Sequence, residues 1–193
     1  AKARAAKGAK HVVGKAGRRT AASRAAAAEA TVERLERQIL RAKGRLEKAR
    51  RAVPPVPVED YPFRSSTGRP VRLSELFGEK DDLVVVFNMG RQCPMCTTWA
   101  DGLNGVVPHL EDRAAFVVAS PDPVPVQKAF AAGRGWRFRM VSAEKSAFFA
   151  DMGFASADGS PWPGIATFRR EAGDRIVRVA RTGPAGTIGD GKI

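Results

Sequence analysis

The sequence predicts an α/β fold, a central mixed sheet flanked by helices, preceded by a basic amino-terminal tail and helix. Three observations point there. Residues 83–87 and 115–119 are continuous apolar runs rich in β-branched side chains, as in strands buried on both faces. Each is followed by a stretch with helical spacing. Residues 164–168 and 175–180, joined through Glu171-Ala172-Gly173-Asp174, read as a closing antiparallel hairpin. Strands alternating with helices, then a hairpin, bury their apolar faces as stacked layers.

Each element has its own reason. Residues 1–30 hold 13 Ala, eight Lys or Arg and a single acid, Glu29, with no aromatic side chain. Such a segment buries little and repels itself, so it is expected to be a disordered tail or nascent helix. From Thr31 the texture changes: Val32, Leu35, Ile39, Ala42, Leu46, Ala49 and Val53 recur at spacings of three and four. That stripe predicts an amphipathic helix over 31–53, packed on the domain. A coiled-coil dimer is the alternative, with Ala42, Ala49 and Gly44 on so short a helix speaking against it. Pro54, Pro55 and Pro57 end the helix.

The folded domain is expected over 54–182. Tyr61-Pro62-Phe63 opens an extended piece, residues 65–68 read as a turn, and 71–77 as a strand end running into a short helix capped by Ser74. Residues 93–110 place Cys96, Trp99, Leu103, Val106, Val107 and Leu110 at helical spacing. Further helices are expected over 124–132 and 143–152, and a short strand over 138–141. Residues 183–193 form a Gly-rich tail, and no internal repeat is visible.

Composition narrows the function classes. Residues 1–52 carry 16 basic and 4 acidic side chains, whereas 53–193 carry 17 and 16. All ten Phe, three Trp and the one Tyr follow residue 53, so the core must be built there. About 140 residues suffice for a self-supporting domain. No apolar run approaches the ~18–20 residues of a membrane span, so no transmembrane helix is expected. Positive charge at the start without an apolar stretch argues against a secretory signal, and a cytoplasmic location is expected. The chain begins with Ala, not Met, so an earlier residue or segment is expected to be missing. The basic front end reads as a solvated extension, as a non-specific nucleic-acid contact through residues 1–30, or as an organelle transit peptide with Thr20 and Ser23. Nucleic-acid binding would act through phosphates alone, since no aromatic side chain is there to stack on bases.

The chemistry concentrates in Gly90-Arg91-Gln92-Cys93-Pro94-Met95-Cys96, between the first buried strand and the head of a helix. Cys93 would stand at the helix N-terminus, where unpaired amides and the dipole favour a thiolate. Pro94 suits the first turn, whose amide needs no partner. Cys96 lies one turn on, within reach of a disulfide, and Arg91 supplies a fixed positive charge that supports the thiolate. This is the pattern of a thioredoxin-like redox motif: Cys93 attacks a disulfide and Cys96 resolves the mixed disulfide. Zinc, copper(I) with Met89 or Met95, and two inert core cysteines are the weaker alternatives. A second cysteine pair for zinc does not exist, and His109 and His11 lie far away in sequence. No metal and no cofactor is called for; the expected partner is a disulfide-containing protein or a small thiol substrate.

Taken together, Tyr61-Pro62-Phe63, Arg72-Leu73-Ser74-Glu75-Leu76-Phe77, Val84-Val85-Val86-Phe87-Asn88-Met89-Gly90, the two cysteines and Trp99-Ala100-Asp101 resemble a known family. It is a bacterial thioredoxin-like family of predicted dithiol–disulfide oxidoreductases, a domain of unknown function. Gly135-Trp136-Arg137-Phe138 and residues 148–154 are similar to its later landmarks, and the resemblance covers roughly residues 31–180. More distantly, residues 63–96 resemble the peroxiredoxin and thiol-reductase branch of the thioredoxin superfamily. The resemblance implies a thioredoxin-like fold with Cys93 as nucleophile and Cys96 as resolver. Two departures stand out. Peroxiredoxins carry Thr three residues before the peroxidatic Cys, where this chain has Gly90, which weakens a thiol peroxidase reading. The family also continues past the last hairpin with an aromatic-rich segment, so the Gly-rich end is expected to be truncated or divergent.

Such folds set a cis-proline against the disulfide, just before a strand; Pro163 is the candidate, with an ordinary turn proline as the alternative. Trp162 beside it would line a substrate groove or cover the core. Trp99 is expected to pack, Asp101 to be solvated rather than to accept a proton, and His109 to face the helix dipole.

Overall fold

The structure, a computed structural model, describes residues 20–182. Residues 1–19 and 183–193, which include most of the basic tail and the Gly-rich end, lie outside the described residues. The chain divides into two compact units, Ala1–Ala49 and Arg50–Ile193.

In the first unit, helix α1 spans Ala21–Arg51. It begins ten residues before the sequence stripe does, so residues 21–30 are helical and not a disordered tail. Seven of those ten are Ala, the residue that loses least on entering a helix. The Thr20 hydroxyl accepts the Ser23 amide at 3.2 Å and satisfies one of the first turn's free donors. No residue of α1 is buried. Along its stripe Val32, Leu35, Ile39 and Leu46 stand 53, 45, 50 and 46 % exposed.

The second unit runs β1 (Val56–Pro57), β2 (Pro62–Ser65), β3 (Pro70–Arg72), α2 (Leu73–Leu76), β4 (Asp82–Phe87), α3 (Pro94–Glu111), β5 (Ala115–Ser120), α4 (Val124–Arg134), β6 (Met140–Ser142), α5 (Phe148–Asp151), β7 (Gly164–Arg170) and β8 (Ile176–Arg181). One eight-stranded mixed sheet has the order β1-β8-β7-β4-β5-β6-β2-β3. β4, β5 and β6 are parallel, with Val85 opposite Val117 and Ala119 opposite Val141. β7 returns antiparallel to β4, setting Gly164 against Phe87. The expected strand–helix alternation and closing hairpin are therefore present.

Alternation along β4 distributes side chains to two cores. Leu83, Val85 and Phe87 join the larger cluster with Leu73, Leu76, Phe148, Phe154 and Phe168. Val86, with Val84 packed beside it, joins Ala100 and Val107 of α3, Phe116, Val118 and Phe138. A strand buried on both faces explains why its sequence is apolar without alternation. Phe87 is 5.0 Å from Phe148, 5.0 Å from Phe149 and 4.1 Å from Phe154 between ring centroids. The end of β4 is thus clamped in an aromatic cluster immediately before the cysteine loop.

Three local details differ from the sequence reading. The cap of α2 is Arg72, not Ser74: the Glu75 carboxylate accepts the Arg72 amide at 2.7 Å, while the Asp60 carboxylate accepts the Ser74 amide at 2.8 Å and the Ser74 hydroxyl at 2.9 Å. Burial pushes the Asp60 carboxyl up, but the Ser74 and Arg72 donors outweigh it and hold it below the usual value. The stretch 143–152 gives only the short α5, because Lys145 takes a left-handed φ of 69° and the Ser146 amide turns back to the Ala143 carbonyl. Pro57 does more than end the helix; Val56–Pro57 pairs with β8 as an edge strand, where a missing amide is tolerated.

Candidate active site

The cysteine loop springs from the carboxyl end of β4. Asn88, buried, donates its amide to the Ala119 carbonyl of β5 at 2.9 Å, and its side-chain oxygen accepts the Gly90 amide at 2.8 Å. Gly90 then takes a φ of 95°, a conformation that side chains disfavour. A Cβ there would lie 2.7 Å from the Asp122 carboxylate, so the position requires glycine on two counts. The Cys93 amide closes the turn on the Gly90 carbonyl at 3.1 Å.

Cys93 is the N-cap of α3, and Pro94 follows in the first turn. The Cys93 sulfur accepts the Cys96 amide at 3.1 Å, which is the position in which a helix start stabilises negative charge. The two cysteines are disulfide-bonded, with Cα atoms 5.3 Å apart. Their environments differ. Cys93 is partly exposed, while Cys96 is 2 % exposed and belongs to the buried face of α3. Next to them Met95 projects into solvent at 53 % exposure.

Asp122 is the residue that the sequence reading missed. It follows β5, and its carboxylate accepts the Arg91 amide at 2.8 Å, fixing the loop from the neighbouring strand end. Its own backbone carbonyl accepts the Ser142 hydroxyl of β6 at 2.6 Å. Buried Gln127 ties the same region together by donating to the Ser120 hydroxyl and the Val141 carbonyl at 2.9 and 3.0 Å. The available signal was positional, since loops after adjacent parallel strands gather at one sheet edge.

Arg91 lies in the loop with its side chain exposed; what the structure fixes is its amide, on Asp122. Pro163 precedes Gly164, which pairs with Phe87, so Pro163 and Trp162 lie at the sheet end from which the cysteine loop leaves. The peptide bond before Pro163 is trans, as are all others among the described residues, and the cis-proline expectation is corrected. Trans is the lower-energy isomer, and here the chain reaches β7 with it: the Trp162 amide reaches the Phe154 carbonyl at 2.7 Å, and Gly164 leaves room for the Phe154 ring. Trp162 is 36 % exposed, so it does not cover the core.

Asp101 is neither a proton acceptor near the sulfurs nor simply solvated. Arg134 pairs with its carboxylate and the Trp136 indole donates to it at 2.8 Å, tying α3 to the end of α4. The Arg134 hydrogen bond, then that of Trp136, holds this carboxyl below its usual value. His109 sits exposed in the last turn of α3. Among the described residues, no three His, Cys, Asp or Glu side chains cluster as metal ligands, and no helix is long and apolar enough to cross a membrane.

The model of a family described as bacterial protein of unknown function (DUF899) matches residues 17–187. The chain belongs to the DUF899 family. No curated protein matches it. Among solved structures, this DUF899 chain is similar to peroxidoxin BcpB from Mycobacterium tuberculosis, at 24 % identity and a TM-score of 0.52 over 67 % of this chain and 84 % of that one. The mitochondrial 2-Cys peroxiredoxin from Plasmodium falciparum gives 14 % identity and a TM-score of 0.52, covering 66 % and 80 %. A secreted Mycobacterium tuberculosis disulfide oxidoreductase homologous to E. coli DsbE gives 18 % and 0.44, covering 57 % and 76 %. These two likenesses show the fold: the DUF899 domain is α/β and resembles the thioredoxin-like fold of peroxiredoxins.

Proposed function

We propose that the protein is a dithiol–disulfide oxidoreductase in which Cys93 is the attacking thiolate and Cys96 the resolving thiol. The observation that carries this reading is the asymmetry of the pair: a partly exposed Cys93 at the N-cap of α3, and a buried Cys96 one turn behind it, already within bonding distance. In the reduced form the Cys93 thiolate attacks one sulfur of a substrate disulfide, forming a mixed disulfide and releasing the first substrate thiolate. Cys96 gives up its proton and attacks the Cys93 sulfur, releasing the second substrate thiolate and leaving the internal disulfide. Two electrons pass from enzyme to substrate, and an external dithiol returns them. Protein disulfides and small disulfides are both admissible substrates; the exposed Met95 beside the site favours a partner with apolar surface.

The test is insulin reduction driven by dithiothreitol. The parent accelerates it, Cys93→Ser abolishes the acceleration, and Cys96→Ser accumulates a mixed disulfide that Cys93→Ser does not. Equal rates for the parent and both variants would sink the reading.

The peroxiredoxin-type fold favours one second reading, a thiol peroxidase. Cys93 would then take one oxygen from a peroxide to become a sulfenic acid, and Cys96 would condense with it, releasing water. Gly90 stands where peroxiredoxins carry Thr, which makes this the lesser reading. Dithiol-dependent consumption of hydrogen peroxide separates the two.

A further inference from the structure

We propose that α1 pairs with α1 of a second copy of this chain as an antiparallel two-helix coiled coil. None of its 31 residues is buried, although a helix of globular proteins takes most of its stability from covering an apolar face. Leu35, Gln38, Ile39, Ala42 and Arg45 line a shallow groove along the stripe. In heptad terms Val32, Ile39 and Leu46 occupy the a positions and Leu35, Ala42 and Ala49 the d positions. The flanking e positions hold Glu29, Glu36, Lys43 and Arg50, acidic in the first half of the helix and basic in the second.

That charge gradient selects the direction. In a parallel pair, Arg45 at g would face the second copy's Arg50 at e, on both sides of the seam, and Ala42 and Ala49 would each meet their own equivalents, leaving the seam thin. In an antiparallel pair, e positions face e positions and g positions face g positions. Glu29 then lies opposite the second copy's Arg50, Glu36 opposite the second copy's Lys43, and Gln38 opposite the second copy's Arg45. The same register sets Val32 over Ala49 and Ile39 over Ala42, large side chains over small ones, with Leu35 over Leu46 between them. Ala42 and Ala49, which speak against a coiled coil when each meets its own equivalent, are what this register needs. Gly44 falls at the outward f position, with open space around it, and the Glu33–Arg37 ion pair at 3.4 Å lies on the outer face.

Sedimentation of the full chain at about 50 µM is expected to show a dimer, a modest affinity for a seam of this length. Glu36→Lys places two like-charge pairs across the seam and is expected to weaken the dimer about tenfold. Adding Lys43→Glu restores opposite charges and is expected to bring the dissociation constant back to within about threefold of the parent. A monomer at that concentration overturns the proposal, as does a dimer that Glu36→Lys leaves unchanged. Orientation has its own readout, with both native cysteines replaced by Ser. Leu35→Cys chains mixed with Leu46→Cys chains are expected to cross-link on oxidation, and Leu35→Cys alone is not. Self-cross-linking of Leu35→Cys overturns the antiparallel register.

Discussion

The two units of this chain carry apolar residues in opposite ways. The second unit seals Phe87, Phe148, Phe154 and Phe168 at 0–1 % exposure, while α1 leaves Val32, Leu35, Ile39 and Leu46 about half exposed. Both segments carry apolar side chains, α1 as one stripe and β4 as an unbroken run, and an apolar pattern alone does not cover a face. What decides is whether strands from distant parts of the chain close over it. β4 has a neighbour on each side and a cluster on each face, whereas no residue of α1 is buried.

The largest effects should separate the two units. Phe87→Ala removes the ring that holds the end of β4 and is expected to cost about 3–5 kcal/mol by urea denaturation. Ile39→Ala, read by the same aromatic signal at dilutions where the chain is monomeric, is expected to shift stability by less than about 0.5 kcal/mol. Equal losses would erase the distinction.

Next come the two glycines that let backbone approach the site. A Cβ at Gly164 would run into the Phe154 ring, so Gly164→Ala is expected to cost about 1–3 kcal/mol in thermal unfolding. Gly90→Ala combines a left-handed backbone with the Asp122 carboxylate and is expected to cost about 1–2 kcal/mol. Pairing it with Asp122→Ala should recover only part of that loss, because the backbone penalty stays. If the double variant is fully restored, the conformation of Gly90 is not what the loop requires.

The comparison also carries a pH dependence. Burial, then the hydrogen bond at 2.8 Å to Asp151, pushes the Tyr61 phenol up to about 12. A group raised in the folded state contributes stability that is whole below its unfolded value and is lost as pH rises through the folded one. Wild-type stability should therefore fall between about pH 10 and 12. Tyr61→Phe is expected to lower stability at pH 7 by about 1 kcal/mol and to flatten that alkaline limb. An unchanged alkaline limb would show that Tyr61 does not titrate in this window.

Much of the site could be read from sequence because it is local. Cys93, Pro94 and Cys96 follow a buried strand and open a helix, and the chemistry of a helix start needs only those neighbours in order. The start of α1 reads as either a disordered tail or a nascent helix for the opposite reason: Ala-rich, charged residues offer no core, yet Ala propensity and the Thr20 cap extend the helix without one. Asp122, 31 residues from Arg91, became part of the loop only through the pairing of β4 with β5. Asp60 likewise reached α2 across 14 residues, accepting the amide and hydroxyl of Ser74.

By itself, then, the sequence determined the strand–helix alternation, the place of the core and the cysteine pair at the head of α3. Periodicity, composition and short spacings are properties of neighbouring residues. Tertiary structure alone decided that Cys93 faces outward while Cys96 is enclosed, that a carboxylate after β5 pins the loop, and that Pro163 enters β7 through a trans bond. Those depend on which strands lie side by side, and adjacency in a sheet is fixed by the burial of the whole chain rather than by any one segment.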